Sequence, residues 1–122
     1  MKLVSNLTLG AAIVAFGEAL ALARSFGLNR EAVLDVLAES PIGPAVKAKR
    51  ANVEAGRYPA SFKLRLAAKD MRLVDEAAEA AGIDLTEAHA AREVLERAME
   101  RGAADLDVSA VIPTILGEEA KG

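Results

Sequence analysis

The chain has 122 residues, enough for one domain with a core of its own. Its formal net charge of -3 speaks against a general nucleic-acid binder, which carries a basic face, and the absence of cysteine excludes disulfides and thiolate metal sites. Alanine, leucine, glutamate and arginine dominate, which is the palette of packed helices.

Leu3 to about Ala23 reads as one long helix of about 30 Å. Leu3, Leu7, Val14 and Ala21 lie along one stripe, and Leu9, Ile13, Phe16 and Leu20 along another. A helix apolar on both stripes is expected to be central and buried. Gly10 and Gly17 cost helix propensity, so a close approach by another helix is expected there. Lys2 and Asn6 are four apart and share a face at the helix N-terminus. A signal peptide is disfavoured by Asn6 at the start of the apolar core and by Glu18 before Ala19-Leu20-Ala21. A membrane span is disfavoured by the same Glu18 and by the many alanines.

Gly27 is a natural stop for this helix. Asn29 then caps a second helix through Glu39, with Ala32, Val33, Val36 and Leu37 as its apolar face. Ser40 to Pro44 breaks the chain, and a third helix runs from Pro44 to Ala55, where Gly56 ends it. Its Lys47, Lys49 and Arg50 read as a solvated face, with a phosphate contact as the lesser alternative. Arg57 to Ser61 form a loop, and a fourth helix spans Leu64 to Ala81, ended by Gly82. Asp84 or Thr86 caps a fifth, whose Ala88, Ala91, Val94, Leu95, Ala98 and Met99 keep helical period to about Arg101. Gly102 ends it. A short helix from Asp107 or Val108 reaches Leu116 despite Pro113, and Glu118 to Gly122 form a tail expected to fray. No run alternates with period two. The fold class is therefore all-α, a bundle of about six helices around the long N-terminal one, in a single domain over residues 1–122.

Three features carry candidate chemistry. Lys2-Leu3-Val4-Ser5-Asn6 places a lysine at a helix mouth. It is either a solvated chain-start lysine or, beside the partial positive charge of a helix N-terminus, one suited to proton exchange. Tyr58 to Phe62, followed by Lys69-Asp70, reads on its own as core and charged face. Asp105 to Ala110 reads as a helix cap. His89 is the only histidine and is expected at the surface or as a satisfied core residue. With one histidine and no cysteine, no transition-metal site is expected.

The order of these features resembles the C-terminal helical domain of the β-hydroxyacid dehydrogenases, the 3-hydroxyisobutyrate dehydrogenase-like family distantly related to 6-phosphogluconate dehydrogenase. The matching pieces are Lys2 to Asn6, Glu18 to Ala23, Phe26-Gly27-Leu28, Tyr58 to Phe62 with Lys69-Asp70, and Asp105 to Ala110. The resemblance implies an NAD- or NADP-dependent oxidoreductase acting on a small hydroxyacid or semialdehyde. It gives Lys2 the role of general acid or base on the substrate oxygen and Asn6 that of holding the substrate. It sets Lys69 and, next to the nicotinamide, Phe62 on the cofactor side, and leaves Asp70 to structure. Lys69 is then expected to face the same cleft as Lys2. The resemblance also implies a homodimer or higher homo-oligomer in the cytoplasm, without nucleic-acid or membrane partners.

The chain departs from the family where a dinucleotide-binding Rossmann domain and a glycine-rich segment would precede the lysine. The expectation is a substrate and dimerisation domain cut just before Lys2, holding no cofactor tightly by itself. The competing expectation is a stand-alone, non-catalytic helical association module. A DNA-binding helical domain is a third, disfavoured by the acidic balance.

Overall fold

A computed structural model describes residues 1–122. Six α-helices follow one another: α1 (Lys2–Ser25), α2 (Arg30–Ala38), α3 (Gly43–Ala55), α4 (Leu64–Ala81), α5 (Thr86–Ala98) and α6 (Val111–Leu116). There is no sheet; Arg57 with Lys121 and Lys63 with Asp107 form isolated bridges only. The all-α expectation holds.

The ends of the helices follow local chemistry. Asn29 caps α2 by accepting from the Ala32 N–H at 3.0 Å. Gly27 and Gly56 take φ of 71° and 68°, left-handed values that suit glycine and close α1 and α3. Pro113 sits in the first turns of α6, where its missing N–H leaves no intrahelical bond unmade. Neither expected cap of α5 operates: Leu85 holds the cap position, and the Thr86 hydroxyl donates instead to Asp84. The α-helical part of α5 stops at Ala98, and a wide π turn over Met99–Ala103 carries the chain to Gly102 at φ 93°.

α1 packs against every other helix, so it is the central element. Its Ile13, Phe16 and Leu20 join Leu34, Val46, Leu64, Met71, Leu95 and Ile112 in one core. A Cβ built on Gly17 would lie 2.6 Å from Ile115 Cδ1 and 3.4 Å from the Ile112 backbone, so the glycine admits α6. Gly10 has the Met71 sulfur 3.1 Å from the same imagined carbon and admits α4.

Two expectations are corrected. α1 is long and apolar enough to span a membrane, but it is not buried all round; Val4, Ala15 and Leu22 stay exposed while the opposite face fills the core. The tail does not fray. Arg24 donates to the Leu116 carbonyl at 2.8 Å, Arg30 pairs with Glu118 at 2.9 Å, and the Tyr58 N–H reaches the Lys121 carbonyl at 2.7 Å.

Candidate active site

Lys2 and Asn6 meet on one partner from another helix. Asp70 of α4 is 5% exposed, on the side that carries Ala67, Met71 and Val74 into the core. A carboxylate buried there needs polar partners. The Asn6 side-chain N–H donates to Asp70 Oδ2 at 2.6 Å, and the Lys2 ammonium stands 3.8 Å from Asp70 Oδ1. Asp70 thereby fixes which way the Asn6 amide points and draws the ammonium of an otherwise exposed side chain toward one spot at the mouth of α1. The result is a proton donor or acceptor beside an oriented amide, which suits work on a substrate oxygen.

Lys69 does not join this group. Consecutive helical residues are rotated by about 100°, so the lysine next to Asp70 faces α5 rather than α1. It lines a groove of about 350 Å³ with Arg65, Arg72, Arg92 and Glu96. Arg65, Arg72 and Arg92 each hold a carboxylate. Lys69 is the one cation of that groove with no carboxylate within 4 Å, although Glu100 lines it too.

Phe62 is half-buried against the core, and its backbone is held at both ends. Its N–H donates to Asp107 Oδ1 at 3.1 Å and its carbonyl accepts from Val108 N–H at 2.8 Å. Asp107, fully buried, is the hub of this corner. Oδ1 also takes the Ser61 N–H and hydroxyl, both at 3.1 Å, while Oδ2 takes the Lys49 ammonium at 3.0 Å and the Ser109 N–H at 3.1 Å. Burial alone would raise its pKa; hydrogen bonds from Ser109, the Phe62 N–H and Lys49 outweigh that and hold the carboxyl well below the usual carboxylate range. Lys49 is therefore not part of a solvated face, as its basic neighbours suggested; only Lys47 of that group is fully exposed. The cap expected at Asp107 is present, with a larger role as the clamp on the loop that launches α4.

The whole constellation lies within a region that matches a family model described as the NAD-binding domain of NADP-dependent 3-hydroxyisobutyrate dehydrogenase, over residues 1–115. The chain belongs to this family. It is 35% identical to glyoxylate/succinic semialdehyde reductase 1 of Arabidopsis thaliana, over 94% of this chain and 40% of that protein. Human N-PAC, a protein named as a cytokine-like nuclear factor, is 30% identical over 91% of this chain and 20% of its own length. Among solved structures, 3-hydroxyisobutyrate dehydrogenase of Salmonella typhimurium superposes with a TM-score of 0.84 at 29% identity, covering 93% of this chain and 40% of that one. The chain thus spans about 40% of the length of the dehydrogenase relative it superposes on.

Within the 3-hydroxyisobutyrate dehydrogenase family, then, this chain brings Lys2 and Asn6 together through Asp70 and keeps Lys69 and Phe62 apart from them on other faces of α4 and its leading loop. Asp70 is the residue that sequence reasoning assigned to structure alone. Its signal was available: a carboxylate three residues after Ala67 and four before Val74 sits on the apolar side of its helix.

Proposed function

We propose that this chain is the helical domain of an NAD(P)-dependent β-hydroxyacid dehydrogenase of the 3-hydroxyisobutyrate or semialdehyde reductase type, supplying its acid–base lysine. The observation that carries the proposal is the Lys2–Asp70–Asn6 group at the mouth of α1. In alcohol oxidation the Lys2 amine takes the hydroxyl proton as the carbinol carbon gives up its hydride; in reduction the ammonium returns a proton to the carbonyl oxygen. Asn6 binds the substrate, and Asp70 fixes the Asn6 amide by a hydrogen bond while its charge stands 3.8 Å from the exposed Lys2 ammonium. The Lys69 ammonium suits a contact with the anionic part of a dinucleotide, and the half-buried Phe62 ring, packed against the core away from that groove, suits the nicotinamide side. When bound, the nicotinamide supplies or accepts the hydride. The fitting setting is a cytoplasmic homodimer or higher homo-oligomer acting on a small hydroxyacid or semialdehyde.

The test is nicotinamide absorbance with a panel of short hydroxyacids and semialdehydes, using this domain behind a dinucleotide-binding domain. Lys2→Ala is expected to lower kcat by about two to four orders of magnitude, the range for losing a general acid–base group. Turnover unchanged by Lys2→Ala would sink the proposal.

A second function has its own support. N-PAC is named as a nuclear factor rather than as an enzyme, and the match to it covers most of this chain. A stand-alone helical association module would show no turnover in any setting and no effect of Lys2→Ala.

A further inference from the structure

Arg92 belongs to two groups at once. On one side it lines the groove between α4 and α5 with Lys69, Arg65 and Arg72, and bonds to Glu96 there. On the other side its Nη1 donates to Asp75 Oδ2 at 3.0 Å. That same oxygen lies 3.1 Å from His89 Nδ1. The other ring nitrogen of His89, Nε2, stands 3.0 Å from Glu93 Oε1. Both nitrogens of the imidazole therefore face carboxylates. A neutral imidazole carries one N–H and can donate to only one of them, whereas the imidazolium donates to both. Asp75 of α4, with Glu93 and Arg92 of its own helix, are the charged groups that act on this ring. The arrangement is the one a protonated His89 would adopt, and the proposed reaction makes no use of it.

We infer that His89 sets the affinity of the Lys69 groove for an anion through Asp75 and Arg92, so that the groove holds a phosphate-type anion more tightly when the imidazole is protonated. With the proton on, Asp75 Oδ2 is shared between two cations. Arg92 is then less fully neutralised, and the potential in the groove is more positive. With the proton off, one of the two carboxylate contacts of the ring loses its donor, and the charge of Asp75 is left to Arg92. Linkage makes the effect reciprocal: an anion that prefers the protonated form raises the His89 pKa by the same factor. Asp75 already raises that pKa above its ordinary 6.5, which sets the change close to neutral pH. The imidazole is 62% exposed, so water and salt screen the coupling. The expected size is about two- to fourfold in affinity, equal to about 0.3–0.6 in pKa. The inference rests on the reading of Lys69 as a contact for the anionic part of a dinucleotide and adds a control on it; it does not depend on Lys2.

Sulfate is the probe, because its charge is constant over the range in which histidine titrates. It is titrated into the 122-residue chain at fixed ionic strength, with chloride as the balancing salt. Amide resonances around Lys69 should report tighter binding at about pH 5.5 than at about pH 8, by the factor given above. His89→Gln, at an exposed position, should remove the pH dependence. His89 is the only histidine, so its ring resonances give its pKa directly. Sulfate should raise that pKa, and Lys69→Ala should abolish the rise. The same pH dependence in His89→Gln would overturn the coupling. So would a His89 pKa unmoved by sulfate while Lys69→Ala still weakens binding; either result leaves the groove an anion site. Sulfate that fails to bind, or binds Lys69→Ala as well as wild type, would overturn the reading of the groove and the coupling with it. The Lys2 proposal is read separately, by turnover.

Discussion

Asp107 is the residue on which most separate segments depend. It accepts from the loop before α4, from Lys49 of α3 and from Ser109 ahead of α6. Its folded pKa is depressed, so its contribution to stability is complete above the unfolded value near pH 4 and disappears as the pH falls below it. Urea unfolding at descending pH should show stability dropping below about pH 4, and Asp107→Asn should make that drop shallower. At neutral pH the same variant should cost about 3–5 kcal/mol, because it leaves the Lys49 ammonium buried without its counter-charge. An equally steep acid loss in the variant would assign it to other carboxylates. His89 runs the other way. Its exposed imidazole bonds to Asp75 at 3.1 Å, which raises its pKa. Its small contribution is therefore present below the unfolded value and lost as the pH rises through the folded one. Nuclear magnetic resonance titration should find that pKa above about 6.5, and Asp75→Asn should lower it.

The same scale shows what was legible in the sequence. Lys2 and Asn6 could be placed on one face because helical spacing is local. The partner that unites them is 64 positions beyond Asn6, and no local rule pairs α4 with α1. Lys49 misled for a related reason. Beside Lys47 and Arg50 it reads as one of a solvated trio, and only the fold reveals the buried carboxylate 58 positions later that takes it out of solvent.

Between elements, glycines set how closely the helices approach. Gly17→Leu should destabilise by about 1–3 kcal/mol or more, since a side chain there drives into Ile115 and the Ile112 backbone. Gly10→Ala should cost less, because the atoms it meets belong to the flexible Met71 side chain. Gly43→Ala should be worse than Gly10→Ala, as its Cβ falls within 2.4 Å of the Ala38 carbonyl oxygen, which cannot rotate away. Gly56→Ala meets no atoms but must hold φ near 68°, a cost of about 1 kcal/mol. Chemical denaturation of the four variants gives the ranking, and a Gly17→Leu protein as stable as wild type would mean that α6 does not pack there. Helix existence was legible because apolar period, Asn29 and the terminal glycines all act within a turn or two. The pinned tail was not, because Glu118 is held by Arg24 and Arg30 from the other end of the chain.

For the whole molecule, hydride transfer is a matter of geometry. Nicotinamide and carbinol carbon must be held in near-attack positions, and that positioning supplies a large part of the barrier reduction. Pyrophosphate is fixed in dinucleotide enzymes by a strand, a tight glycine turn and a helix N-terminus. This chain contains no strand, and its isolated bridges cannot serve as one. In the reaction proposed above, Lys2, Asn6 and Asp70 would serve only the proton-transfer half, and Lys69, a single exposed ammonium, cannot orient a dinucleotide. The 122-residue chain alone should therefore be folded, helical and silent toward hydroxyacids with NAD or NADP. Circular dichroism and a nicotinamide absorbance assay on the same sample would read both. Turnover by the isolated chain, abolished by Lys2→Ala, would show that the helical domain positions the cofactor by itself and would place that capacity in the groove between α4 and α5.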